Sequence, residues 1–68
     1  MKKNILTNRE QEVFDLLVLN KSTSEIANYL GISEKTVRNH ISNTIQKLGV
    51  KGRTQAVIEL MRLGLINF

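Results

Sequence analysis

Apolar residues recur at three- and four-residue spacing along most of the chain. No stretch alternates apolar and polar residues as a half-buried strand would. The pattern predicts an all-α fold with four helices, about residues 7–20, 23–30, 34–48 and 54–64. In the first, Val13, Leu16, Leu17 and Asn20 share a face, with Phe14 and Val18 beside them. TNRE, from Thr7 to Glu10, is a capping box, in which hydroxyl and carboxylate each accept from the other residue's backbone amide. Asn20 tolerates the left-handed conformation that a helix end often needs. STSE opens the second helix with another capping box, Ser22 to Glu25. Ile26, Ala27 and Leu30 are its expected core residues, and Tyr29 is placed with Phe14 in the core. Gly31 follows as a stop.

Ser33 is the expected N-cap of the third helix. Val37, Ile41, Thr44, Ile45 and Leu48 form its stripe, and Gly49 ends it. The fourth helix carries one apolar face, Ala56, Val57, Leu60 and Leu63, and a second stripe, Ile58, Met61 and Leu65. Together they exceed the ~100° arc that a surface helix needs to cover its own core. A chain this small has little core to cover so wide a stripe, so the surplus points to a partner.

The face of the third helix opposite its stripe holds Lys35, Asn39, Ser42, Asn43 and Gln46, flanked by Thr36 and Arg38. No acid occurs from Lys35 to Ile58. Most surface helices mix both signs, because intrahelical ion pairs and solubility favour mixing. The charge of the whole chain follows the same division. Residues 1–34 hold four bases and five acids, and residues 35–68 hold six bases and one acid, within a formal net charge of +4. Such asymmetry points to nucleic acid or an anionic membrane surface.

Residues 23–42, TSEIANYLGISEKTVRNHIS, decide between them. Two helices meet at the turn Gly31–Ile32–Ser33, with small Ala27 at the crossing and Ile26, Leu30, Ile32, Val37 and Ile41 at the locking positions. This is the helix-turn-helix spacing, which makes the second helix protrude enough to enter a major groove. Lys35, Arg38 and Asn39 fall where recognition helices touch base edges, with Ser42 and Asn43 one turn on. Arg and Lys donate to guanine, and Asn bonds bidentately to adenine. Ser22, Thr23, Thr36, His40, Lys47, Lys51 and Arg53 are candidate phosphate contacts, which position without reading sequence.

Composition removes other classes. With 68 residues the chain is a single domain near the lower size limit for an independent core. Absence of cysteine excludes disulfides and thiolate metal sites, and one histidine excludes a multi-histidine site. No metal, cofactor or small-molecule ligand is therefore expected. No segment approaches the ~20 apolar residues of a membrane span, and MKKNILTNRE turns polar too early for a signal peptide, so a cytoplasmic, nucleoid-associated place is expected. Ser, His and Asp occur without forming a triad, and His40 lies at the edge of the polar face, so no catalytic residue is assigned. Three aromatics are few for a reader of single-stranded RNA.

LTNREQEVFDLL, STSEIANYLGISEKTVRNHISNTIQKLGV and GRTQAV resemble the LuxR-type DNA-binding domain, found also in the NarL and FixJ response regulators. The resemblance covers about residues 6–65. It rests on the T-x-R-E start, the E-I-A scaffold, the S-x-x-T-V recognition start and the K-L-G-V-x-x-R link. EKTVRNHISN, QKLGVKGR and QAV look especially like a stand-alone member that regulates late spore-coat genes. The resemblance implies a four-helix domain; residues 1–68 are expected to form that one domain, with residues 1–6 as a flexible arm. It places helix 3 in the major groove and makes helix 4 the seam of a homodimer. By resemblance Lys35, Arg38, Asn39 and Ser42 read bases; Ser22, Thr23, Thr36, His40, Arg53 and Thr54 hold phosphates; and Ile58, Met61, Arg62 and Leu65 form the dimer surface. One departure is Asn20, where the family usually has Gly.

The expected function is sequence-specific regulation of transcription by a homodimer on a pseudo-palindromic site in double-stranded DNA. Two alternatives stand beside it: a helical interaction module whose partner is RNA polymerase or another regulator, and the excised output domain of a response regulator. Many relatives carry a receiver or ligand-binding domain ahead of this one. A complete chain would be controlled through its synthesis, its concentration or a partner; for an excised one that expectation falls.

Overall fold

The computed structural model describes residues 5–67. Four helices follow one another: α1 (Asn8–Leu17), α2 (Thr23–Leu30), α3 (Glu34–Leu48) and α4 (Arg53–Arg62). The sequence expectation of four helices and no strand is what forms among the described residues. Both capping boxes close. The Thr7 hydroxyl accepts from the Glu10 amide and the Glu10 carboxylate from the Thr7 amide; Ser22 and Glu25 do the same.

Helix ends differ from the sequence expectation in ways that local chemistry explains. α1 stops at Leu17, and residues 18–20 wind on as a turn whose amides return to the carbonyls of Phe14, Leu16 and Leu17. Asn20 then takes the left-handed conformation, φ 68°, as expected of it. α4 begins one residue early, at Arg53, after Gly52, which has no capping side chain; Gln55 instead reaches back to accept from the Lys51 amide. It ends at Arg62, short of the expected 64, because Gly64 turns left-handed.

The core is built by Val13 and Phe14 of α1, Ile26 and Ala27 of α2, Val37 and Ile41 of α3, and Ala56 and Leu60 of α4. α3 is the central member, packed against each of the other three helices. Thr44 is buried with its stripe because its hydroxyl donates to the His40 carbonyl at 2.9 Å, one turn back. Leu6 and Ile66 are buried as well. That corrects the expected arm: Leu6 belongs to the core, and the Ile5 carbonyl accepts from Lys47, while residues 1–4 lie outside the described residues. Gln11 donates to the Leu65 carbonyl at 2.8 Å and holds the chain's end against α1.

Two apolar residues assigned to the core are outside it. Tyr29 is 78% exposed, because α2 is only two turns long and turns Ile26 and Ala27 inward. Leu63 sits past the last turn of α4 and is exposed. Phe68 lies outside the described residues.

The turn between α2 and α3 sets the angle of α3. Gly31 takes φ 70° and the Ile32 amide bonds to the Ala27 carbonyl at 3.0 Å. A Cβ at Gly31 would meet nothing within 4 Å, so only the left-handed backbone would resist it. Gly31→Ala is therefore expected to cost about 1 kcal/mol, read as a lower urea midpoint, with Gly31→Asn costing less.

Candidate nucleic-acid interface

α3 separates its two jobs by face. Val37, Ile41 and Thr44 are buried, and Lys35, Arg38, Asn39, Ser42 and Asn43 are all exposed. Ser33 caps the helix by accepting from the Thr36 amide at 3.1 Å. The guanidinium of Arg38 donates to Glu34, one turn back, at 3.2 Å, with both side chains near half exposed. An exposed pair of this kind is worth a few tenths of a kcal/mol and yields to a better acceptor. It holds Arg38 beside the helix start. Lys35, Asn39, Ser42 and Asn43 stand on the side of the helix opposite the core stripe.

The candidate phosphate contacts fall into two groups. Lys51, Arg53 and Thr54 are exposed around the start of α4. Ser22, Thr23 and Thr36 flank the starts of α2 and α3, where their hydroxyls are already in local use. Ser22 and Ser33 cap, Thr36 shares a hydrogen bond with Ser33 at 2.9 Å, and Thr23 donates to Glu34 at 3.4 Å. His40 is half-buried on the edge of the face.

Lys47 is differently placed. Its ammonium donates to Glu10 at 2.5 Å and to the Ile5 carbonyl at 3.1 Å. Glu10 is only 3% exposed. Burial pushes its carboxyl up, but the Lys47 hydrogen bond, the Thr7 amide, the Lys47 charge and the Thr7 hydroxyl together outweigh burial and hold it below the usual glutamate value. Lys47, expected among the phosphate contacts, shares its charge with a carboxylate. Glu10 was recognised as a cap, but no local pattern marks a partner 37 residues away.

On α4, Ile58 is 59% exposed and Met61 is half-buried against the core, as is Leu65 just beyond the helix. Arg62 is exposed, and two of its guanidinium nitrogens donate to Glu59, at 2.6 and 3.2 Å. Among the described residues no group of acids or histidines is arranged to hold a metal ion, and no helix is long and apolar enough to cross a membrane.

The sequence pattern of the family "Bacterial regulatory proteins, luxR family" matches residues 4–60. The chain belongs to the LuxR family. It is 71% identical over 62 residues to the spore germination protein GerE of Bacillus subtilis, an alignment covering 91% of this chain and 84% of that one. It is 49% identical over 64 residues to the transcriptional regulatory protein DegU of Brevibacillus brevis, of which it spans 27%. The solved transcription factor GerE superposes with a TM-score of 0.93 at 63% identity, covering 96% of this chain and 97% of that one. The response regulator ChrA of a heme-sensing two-component system superposes at 0.85 with 35% identity, over 97% of this chain and 33% of that one. Fold and family agree: this LuxR-family chain is a DNA-binding regulator of transcription.

Proposed function

We propose that the chain binds duplex DNA as a homodimer, with two copies of α3 entering successive major grooves of a pseudo-palindromic site. The observation that carries this is the exposed face of α3, free of acids from Lys35 onward, standing opposite a stripe in which Val37, Ile41 and Thr44 are buried. Lys35, Arg38, Asn39, Ser42 and Asn43 read base edges; Lys51, Arg53 and Thr54, with Ser22, Thr23, Thr36 and His40, hold phosphates on either side. Lys47 clamps Glu10 and joins this set only with the charge it shares with that carboxylate. The dimer seam is the outer side of α4 and the turn after it, led by exposed Ile58 and Arg62, with the half-buried Met61 and Leu65. A two-fold pair closes on itself and sets the half-site spacing at about one helical turn. Likeness to a spore germination protein supports control of late sporulation genes, including spore-coat genes, in the cytoplasm on the nucleoid.

Selection from a random duplex pool, repeated at two salt concentrations, tests the reading. A two-fold motif with half-sites about one turn apart is expected. Salt-sensitive binding without enrichment would remove the sequence-specific part, and no binding at low salt would remove all of it. Ile58→Asp tests the seam more cleanly than Met61→Asp, because Ile58 stands free of the core. The variant is expected to sediment as a monomer with unchanged helix content. A dimer that persisted would place the seam elsewhere and leave the stripe to another partner, such as RNA polymerase.

A further inference from the structure

We infer that Glu34 is a specificity-determining positioning residue: its carboxylate aims Arg38 at a guanine edge and penalises duplexes that do not offer one. This rests on the base-reading role proposed above for Arg38. Glu34 is the first residue of α3 and the last acid before the run that begins at Lys35. Its side chain is 45% exposed and that of Arg38 is 55% exposed, and the two meet at 3.2 Å across one helical turn. So exposed a pair adds little to stability. A carboxylate beside side chains that face DNA also lowers affinity for a polyanion. Neither stability nor affinity gives the pair a purpose, whereas orientation does.

Two helices converge on one oxygen. Glu34 Oε1 accepts from Arg38 Nη1 and, at 3.4 Å, from the hydroxyl of Thr23 at the start of α2. Thr23 thus fixes the carboxylate from outside α3. The carboxylate in turn draws the guanidinium back towards the helix start, where recognition helices touch base edges. Lys35, Lys51 and Arg53 are exposed and have no ion pair among the described residues, so Arg38 alone of these four bases is held. The bond to Glu34 uses one guanidinium N–H and leaves Nε and Nη2 free. Those two make a fork that guanine O6 and N7 accept. A fork already restrained loses less rotamer freedom on binding.

The same carboxylate discriminates. Where a guanine stands in reach, Arg38 bonds to the base and to Glu34 together, and both charges stay paired. On any other duplex the best acceptor for Arg38 is a phosphate. Turning to it leaves Glu34 unpaired beside a polyanion. Specificity is a difference between two affinities, and Glu34 lowers the wrong one.

The test is duplex selection with Glu34→Gln, Arg38→Ala and the double variant, followed by titration of selected and random duplexes. Glu34→Gln keeps the side chain's size and an acceptor oxygen but removes its charge. It is expected to relax preference at the one base pair that Arg38→Ala also relaxes. It should also raise affinity for random duplex about threefold, and by more at low salt. In the Arg38→Ala background it should change preference at that base pair no further, because the two residues act as a unit. An unchanged motif with Glu34→Gln overturns the inference. So does equal weakening on both duplexes with a lower melting temperature, the mark of a carboxylate that serves only the helix dipole. Relaxation at a different base pair overturns it too, since Glu34 would then read a base itself. Arg38→Ala without effect on the motif would instead remove the base-reading role of Arg38, and the inference with it.

Discussion

Lys47→Ala is expected to destabilise the domain by about 2 kcal/mol, a fall of roughly 8–16 °C in melting temperature for a domain of this size. The reason is the carboxylate it leaves behind. Glu10 is buried, and its charge is held by Lys47 and by the capping amide and hydroxyl of Thr7. Breaking a fully buried pair costs about 3–5 kcal/mol; the Lys47 side chain is 36% exposed, so water moderates the loss. Glu10→Gln in the Lys47→Ala background should recover part of it, because an amide can be buried without charge. The pH dependence gives an independent check. The Glu10 pKa is lowered by folding, so the carboxylate contributes stability above the unfolded value, and that contribution is lost as pH falls through the folded value. Without Lys47, burial acts with less opposition and pushes the same carboxyl up. The gap between wild type and Lys47→Ala should therefore narrow as pH falls below about 4. Urea midpoints across the acid range would measure it. A gap that is flat with pH would mean that Lys47 stabilises through its methylenes and not through Glu10.

Asn39→Ala is expected to cost about 1–3 kcal/mol at the selected site, some 5- to 150-fold in affinity, with little change on random DNA. Asn39 is exposed, lies in the second turn of α3 and has no side-chain hydrogen bond among those described, so its amide is available for an adenine edge. Arg38→Ala should have a similar cost at a neighbouring base position, and its exposed pair with Glu34 makes the loss of stability small. Lys51→Ala should instead weaken all duplexes alike and reduce the salt slope by about one. Titrations of each variant against selected and scrambled duplexes would separate the two roles. If Asn39→Ala weakened both duplexes equally, base reading would have to move to another residue.

Local signals made most of this fold legible. Thr7 with Glu10, Ser22 with Glu25, and Ser33 mark helix starts through hydrogen bonds that span three residues, and Gly31 and Gly49 mark ends through φ alone. The buried stripe of α3 follows from spacing, including Thr44, which satisfies its own hydroxyl within the helix. Long-range chemistry was not legible. Nothing near Lys47 in sequence announces Glu10, and a lysine on a basic helix suggests phosphate by default. Tyr29 was illegible for the converse reason: apolar character alone does not bury a side chain, because a two-turn helix has only one inward side, and Ile26 and Ala27 fill it. The burial of Leu6 has no local signal, because a short segment before a cap carries no periodicity. The polar face of α3 was legible as a surface, and its contacts with DNA rest on the expected measurements above.

The division of α3 into a buried stripe and an exposed face also bears on how such a protein can change its target. Lys35, Asn39, Ser42 and Asn43 have no part in the core, and Arg38 has only an exposed pair. Substitutions at these five positions would escape most of the penalty that purges core variants. Operator preference can drift, or be reprogrammed by a library at those sites, while the scaffold beneath stays the same.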